Sequence, residues 1–186
     1  MEIGATKAVQ DRLKTTKIEE SKGASLVFCW DTHLTKIKGR NVLFIVNASN
    51  RYTIAMTDIE PRNWNYYTMY IRSVIHGVMQ EMGYSEDQIG QYFKMSGDTT
   101  VTKTHGRKSV GGINRMVMDA QYFGKKLEKE AKYQWELSEY LNRDICQPEG
   151  FDAYGYPSEL FKLDMERLGI ATKRKPAKVI DIAQYI

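Results

Sequence analysis

Cysteine is almost missing from this chain: only Cys29 and Cys146 occur in 186 residues. Two cysteines so far apart can neither build a disulfide scaffold nor complete a four-cysteine zinc site. Cys29 lies in an apolar run and reads as a buried thiol. Histidine is equally sparse, and His33, His76 and His105 are too scattered to form a zinc site by spacing. No paired-carboxylate or metal motif stands out, so no cofactor, no metal and no catalytic residue is assigned. Long apolar runs are missing too. The longest, Val42–Val46, falls far short of the ~20 residues needed to span a bilayer. Residues 1–7 lack the basic start and apolar stretch of a secretory leader. The expectation is a reduced, cytoplasmic protein of a bacterial host cell, without membrane contact.

What is present suits a folded domain. Hydrophobic residues at 42% and charged residues at 27% exclude collagen-like and disordered chains. Thr6 can cap a short helix running to about Lys14. Leu26–Ile37 and Val42–Val46 flank Lys38-Gly39-Arg40-Asn41, a hairpin with a glycine turn. Tyr52–Met56 follows as a third strand. Val42–Val46 is apolar at every position and is placed centrally, covered on both faces. After Pro61 the period changes to that of a helix. Trp64, Tyr67, Ile71, Val74, Ile75, Val78 and Met82 recur at steps of three and four, predicting a helix over 63–83. Ser85 and Gln88 form a capping-box pair for a second helix. Thr99–Thr104 reads as a strand.

Next comes a long apolar seam: Val110, Ile113, Val117, Ala120, Gly124, Leu127, Ala131, Trp135 and Ser138. One helix over 109–141 would be roughly 50 Å long at 1.5 Å per residue. That exceeds what the sheet can cover, so a homodimer through Leu127, Ala131, Trp135 and Ser138 is expected. Pro157 suits the start of another helix, ending at Gly169. Residues 179–186 read as a terminal strand or docking peptide. The expected fold is α+β: a small antiparallel sheet covered by helices, with one long helix. Residues 1–141 form that domain, and 142–186 a loop, a short helix and a basic tail.

Several stretches together resemble a known family. They are Ile3-Gly4-Ala5-Thr6-Lys7, Trp30 before the basic hairpin, Val42-Leu43-Phe44-Ile45-Val46-Asn47, the helix 63–83, and the stretch from Thr102-Lys103-Thr104 through Ser109-Val110 to Asn114. The family is bacterial and mobile-element-borne, catalogued only as a domain of unknown function. Its hallmark is a Thr-Lys-Thr strand end, a polar turn, an Arg-Ser-Val-x-Gly step and a following Met/Ile-Asn. Lys108 stands where the family usually has arginine, and Gly111 shifts the glycine pattern. The likeness covers about residues 1–127. Asp152–Lys162 is similar to a Tyr-x-Pro-x-Glu-x-Phe-Lys tail on some members. It implies an α+β domain and no known activity.

Charge is the remaining signal. The net charge is +4, and residues 101–130 carry seven basic against three acidic groups. Lys103, His105, Arg107, Lys108 and Arg115 cluster between a strand end and a helix start, where free N–H groups favour anions. Ser109 can cap that helix, while Gly106, Gly111 and Gly112 allow close approach of a ligand. The stretch is not a P-loop, because Arg107 separates Gly106 from Lys108. Lys173, Arg174 and Lys175 form a second basic cluster. Tyr66 and Tyr70 fall off the apolar stripe of their helix and are candidate partner contacts. The leading expectation is a non-enzymatic binder of a nucleic acid or nucleoprotein. One concrete form, by analogy with small proteins of mobile elements, is an inhibitor of a host-defence nuclease such as a CRISPR effector. The alternatives are a phosphoester-acting enzyme using His105 with Lys103, Arg107 and Lys108, or an oligomerisation module.

Overall fold

The computed structural model describes residues 1–15 and 18–172; the expectations for Lys173, Arg174, Lys175 and 179–186 lie outside the described residues. Five strands form one sheet: β1 (Glu2–Ala5), β2 (Cys29–Ile37), β3 (Arg40–Asn47), β4 (Thr53–Thr57) and β5 (Thr100–Thr102), in the order β4-β3-β2-β1-β5. The helices are α1 (Lys7–Leu13), α2 (Pro61–Asn65), α3 (Tyr67–Glu81), α4 (Glu86–Ser96), α5 (Gly106–Gln121), α6 (Trp135–Asn142) and α7 (Pro157–Arg167). The fold class is α+β as expected, but the sheet is mixed. β2, β3 and β4 form an antiparallel meander, whereas β1 pairs in parallel with both β2 and β5. Four residues at the chain start are too short a run to show a period, so β1 is invisible in the sequence.

Local chemistry explains the elements that were legible. Lys38 and Gly39 both take positive φ, +49° and +83°, which matches the twist of a two-residue hairpin turn. Ser85 and Gln88 cap α4 reciprocally. The helix expected over 63–83 is interrupted at Tyr66, which separates α2 from α3. The apolar strand β3 divides its side chains between two cores. Leu43 and Ile45 pack with Ile3, Trp30, Ile71 and Ile75 on one face; α7 adds Phe161 and Met165 there. Val42, Phe44 and Val46 pack with Ile113, Met116, Leu137 and Leu141 on the other.

The long helix is the main correction. α5 ends at Gln121, and α6 begins only at Trp135. The cause is β4, an edge strand whose backbone groups need partners. Residues 132–134 run extended beside it: the Thr57 N–H donates to the Lys132 carbonyl at 2.8 Å, and the Gln134 N–H to the Ala55 carbonyl at 2.9 Å. α6 then seals the edge with side chains one helical turn apart. Ser138 Oγ accepts from the Ala55 N–H at 3.0 Å, and Asn142 bonds the Thr53 N–H at 2.7 Å and the Thr53 carbonyl at 2.8 Å. The supposed seam is thereby used within the chain. Leu127 and Ser138 are buried and Ala131 is half-buried, while Trp135 is exposed. The homodimer expectation loses its premise.

Candidate functional site

The register of the parallel strands creates a polar strip on the α5 side of the sheet. Glu2 pairs with Cys29 and Gly4 with Asp31, while Ile3 and Trp30 point into the opposite core. Gly4 is required here: a Cβ on it would lie 1.8 Å from Asp31 Oδ1 and 3.0 Å from the Thr104 Cα. The missing side chain lets the Asp31 carboxylate lie across β1 and lets the turn after β5 approach. Gly106, with φ at +90°, makes that turn and starts α5.

His105 and Ser109 are four residues apart and both face inward onto this strip. His105 Nδ1 lies 2.7 Å from Asp31 Oδ1, and Nε2 lies 3.0 Å from Glu2 Oε2. The His105 backbone N–H donates to both Asp31 oxygens at 3.2 and 3.3 Å, and the Ser109 hydroxyl donates to Oδ2. Glu2 also accepts from Ser21 Oγ at 2.6 Å and from the Lys22 N–H at 2.8 Å. The His105 and Asp31 side chains are 2% and 0% exposed, so the imidazole is shielded from water with both nitrogens engaged.

Burial alone would lower the His105 pKa. Hydrogen bonds from the ring to Asp31 and Cys29, with the charge of Asp31, outweigh it and push the ring up to about 10, so the folded protein holds an imidazolium. Burial likewise opposes ionisation of Glu2. The bonds from Ser21, the Lys22 backbone and His105 prevail and hold its carboxyl below the usual range. The unit is carboxylate–imidazolium–carboxylate, clasping β1, β2 and the start of α5. Asp31 also lies against the positive end of α5, where an anion is favoured.

The expected basic residues separate into distinct surroundings. Ser109 does not cap α5, because the helix begins three residues earlier and the hydroxyl goes to Asp31. Lys103 pairs with Glu20, and Arg115 with Asp119 at 3.2 Å. Arg107 and Lys108, between the two inward-facing residues, are exposed, and among the described residues neither forms an ion pair. Lys108 Nζ donates to the Pro148 carbonyl at 3.2 Å. Another cation lies against the same helix. The Arg51 side chain lies against α5 one turn beyond Lys108, with Cδ 3.3 Å from the position of a Cβ on Gly112. Gly111 faces open space. Arg51 was invisible in the sequence because it sits in a turn 56 positions before Arg107.

The remaining candidates lie elsewhere. Tyr66 is exposed, whereas Tyr70 is half-buried. Arg115 and Trp135 line a common groove of about 740 Å³ between α5 and α6, with Phe123, Tyr140 and Glu136. Sequence reasoning missed Glu2 and Asp31 altogether. The one available signal was an acid alternating with apolar residues in each strand, Glu2 before Ile3 and Asp31 after Trp30.

Among the described residues no helix is long and apolar enough to cross a membrane. The family model described as a domain of unknown function (DUF6933) matches residues 2–160. No curated protein and no solved structure matches the chain.

Proposed function

The chain belongs to this family of unknown function, DUF6933, and since membership carries no activity, we propose one from the site: binding of a polyanion, a nucleic acid or nucleoprotein, through Arg107, Lys108 and Arg51. One observation carries this reading. The clasp on His105 and Ser109 turns the intervening Arg107 and Lys108 outward, where among the described residues neither meets a carboxylate, and Arg51 lies against the same helix at Gly112. The backbone that carries them is held by the clasp, and arginine can engage phosphates with two parallel hydrogen bonds. An inhibitor of a host-defence nuclease is the nucleoprotein form of the same proposal. A phosphoester-acting role for His105 draws no support from a ring that is buried and engaged at both nitrogens.

The test is a salt titration of duplex DNA binding, by fluorescence anisotropy, for wild type and for Arg107→Ala/Lys108→Ala. Each phosphate contacted contributes about −0.9 to the slope of log K against log salt. The double variant should flatten that slope by up to about two units, with little dependence on DNA sequence. Arg51→Ala should flatten it by about one more. Salt-independent binding, or equal slopes for wild type and the double variant, would reject the surface.

A further inference from the structure

Cys29 is fully buried beside the clasp. Its Sγ lies 3.6 Å from the Ala24 carbonyl and 3.5 Å from the Ser25 carbonyl, and it also faces the His105 ring. A Glu2 carboxylate oxygen, the Cys29 sulfur and a His105 ring nitrogen all lie within 4.8 Å of one another. We propose that Glu2, Cys29 and His105 form a zinc site that locks β1 and β2 to the start of α5.

The donor set selects the metal. Thiolate, imidazole and carboxylate together suit Zn²⁺, whereas Mg²⁺ and Ca²⁺ require an all-oxygen shell. Bond lengths of about 2.0–2.3 Å around a tetrahedral ion place ligand atoms roughly 3.3–3.8 Å apart. No pair of donors therefore needs to close by more than about 1.0–1.5 Å, and Nε2 and Glu2 Oε2, at 3.0 Å, move slightly apart, both within the reach of side-chain rotation. The surroundings are organised for it. Asp31 holds Nδ1 and so presents Nε2 to the metal, the carboxylate–histidine arrangement that fixes tautomer and ring plane in zinc sites. Ser21 and the Lys22 N–H orient the Glu2 carboxylate in the same way. The charge also closes. Zn²⁺ displaces one proton from Nε2 and one from the thiol, so two positive charges replace two and the buried total is unchanged. Three protein ligands leave a fourth position for water.

The site draws its ligands from positions 2, 29 and 105, so no zinc-binding spacing exists in the sequence. Its occupancy is independent of DNA binding by Arg107 and Lys108.

The experiment uses the full chain, stripped with a chelator and titrated with zinc against a chromophoric competitor. One zinc per chain should bind, with a rise in melting temperature that the chelator reverses. Cobalt should give a thiolate-to-metal charge-transfer band in wild type and in Cys146→Ser, but not in Cys29→Ser. Asp31→Asn should weaken zinc binding by about 10–100-fold. Cys29→Ser keeps the volume of the thiol, so it tests the site even where His105→Asn fails to fold. Substoichiometric zinc, or a cobalt spectrum unchanged in Cys29→Ser, would overturn the assignment.

Discussion

Asp31→Asn is the sharpest perturbation of the clasp. The side chain keeps its shape, so no cavity forms; what changes is donor and acceptor count. The carboxylate now accepts from the His105 N–H, from His105 Nδ1 at 2.7 Å and from Ser109, while fully buried. An amide offers one acceptor oxygen. That oxygen can keep the His105 N–H and Ser109, but the –NH₂ must then face Nδ1. The ring must give up its Nδ1 proton and accept instead, leaving Nε2–H for Glu2. Bonds to charged groups contribute about 1.5–3 kcal/mol and neutral ones about 0.5–1.5. Converting two or three of them, and removing the anion from the α5 terminus, costs about 2–4 kcal/mol in total. Equilibrium urea unfolding with chelator present measures this. At a slope near 2 kcal/mol/M the midpoint should fall by about 1–2 M with the slope unchanged. Ser109→Ala should cost about 1–2 kcal/mol alone, and less in the Asp31→Asn background, because the two share one network. A loss under about 1 kcal/mol for Asp31→Asn, or strict additivity of the pair, would refute the clasp as a cooperative unit.

Gly4→Ala puts a methyl against a buried carboxylate and should destabilise by about 3 kcal/mol, lowering the melting temperature by about 6–12 °C by calorimetry. Asn142→Ala removes the partner of the Thr53 N–H, and hydrogen exchange at that amide should accelerate while α3 amides are unchanged. Burial raises the Asp164 pKa against bonds from Asn50 and Arg167, so its ionised form opposes folding at neutral pH. Relative to Asp164→Asn, wild-type stability should therefore rise as pH falls through the folded-state pKa towards 3.8, read from urea midpoints between pH 7 and 4. Arg107→Ala/Lys108→Ala should melt within about 0.5 kcal/mol of wild type, since both side chains are exposed; a larger loss would assign them a structural role.

The sequence by itself determined whatever depends on neighbours a few residues apart. The Lys38-Gly39 turn, the Ser85–Gln88 box, the helical period through Ile71 and Ile75, and the two-faced burial of Val42–Val46 are all local consequences of side-chain chemistry. The basic character of 103–115 was legible for the same reason. It did not show which of those charges are free, because Lys103 finds its acid, and His105 its carboxylates, only once the chain is folded. Periodicity even misled over 109–141. The seam is real, but the backbone of edge strand β4 requires hydrogen bonds, and that demand breaks the helix and spends Gln134, Ser138 and Asn142 on the strand. The clasp was beyond sequence reading altogether. Asp31 and His105 are 74 positions apart, and Glu2 and His105 are 103. Only the parallel insertion of β1 between β2 and β5 brings the three together. Buried charges are tolerated only where opposite charges and donors meet them, and that meeting is a property of strand order and register, which no local pattern encodes.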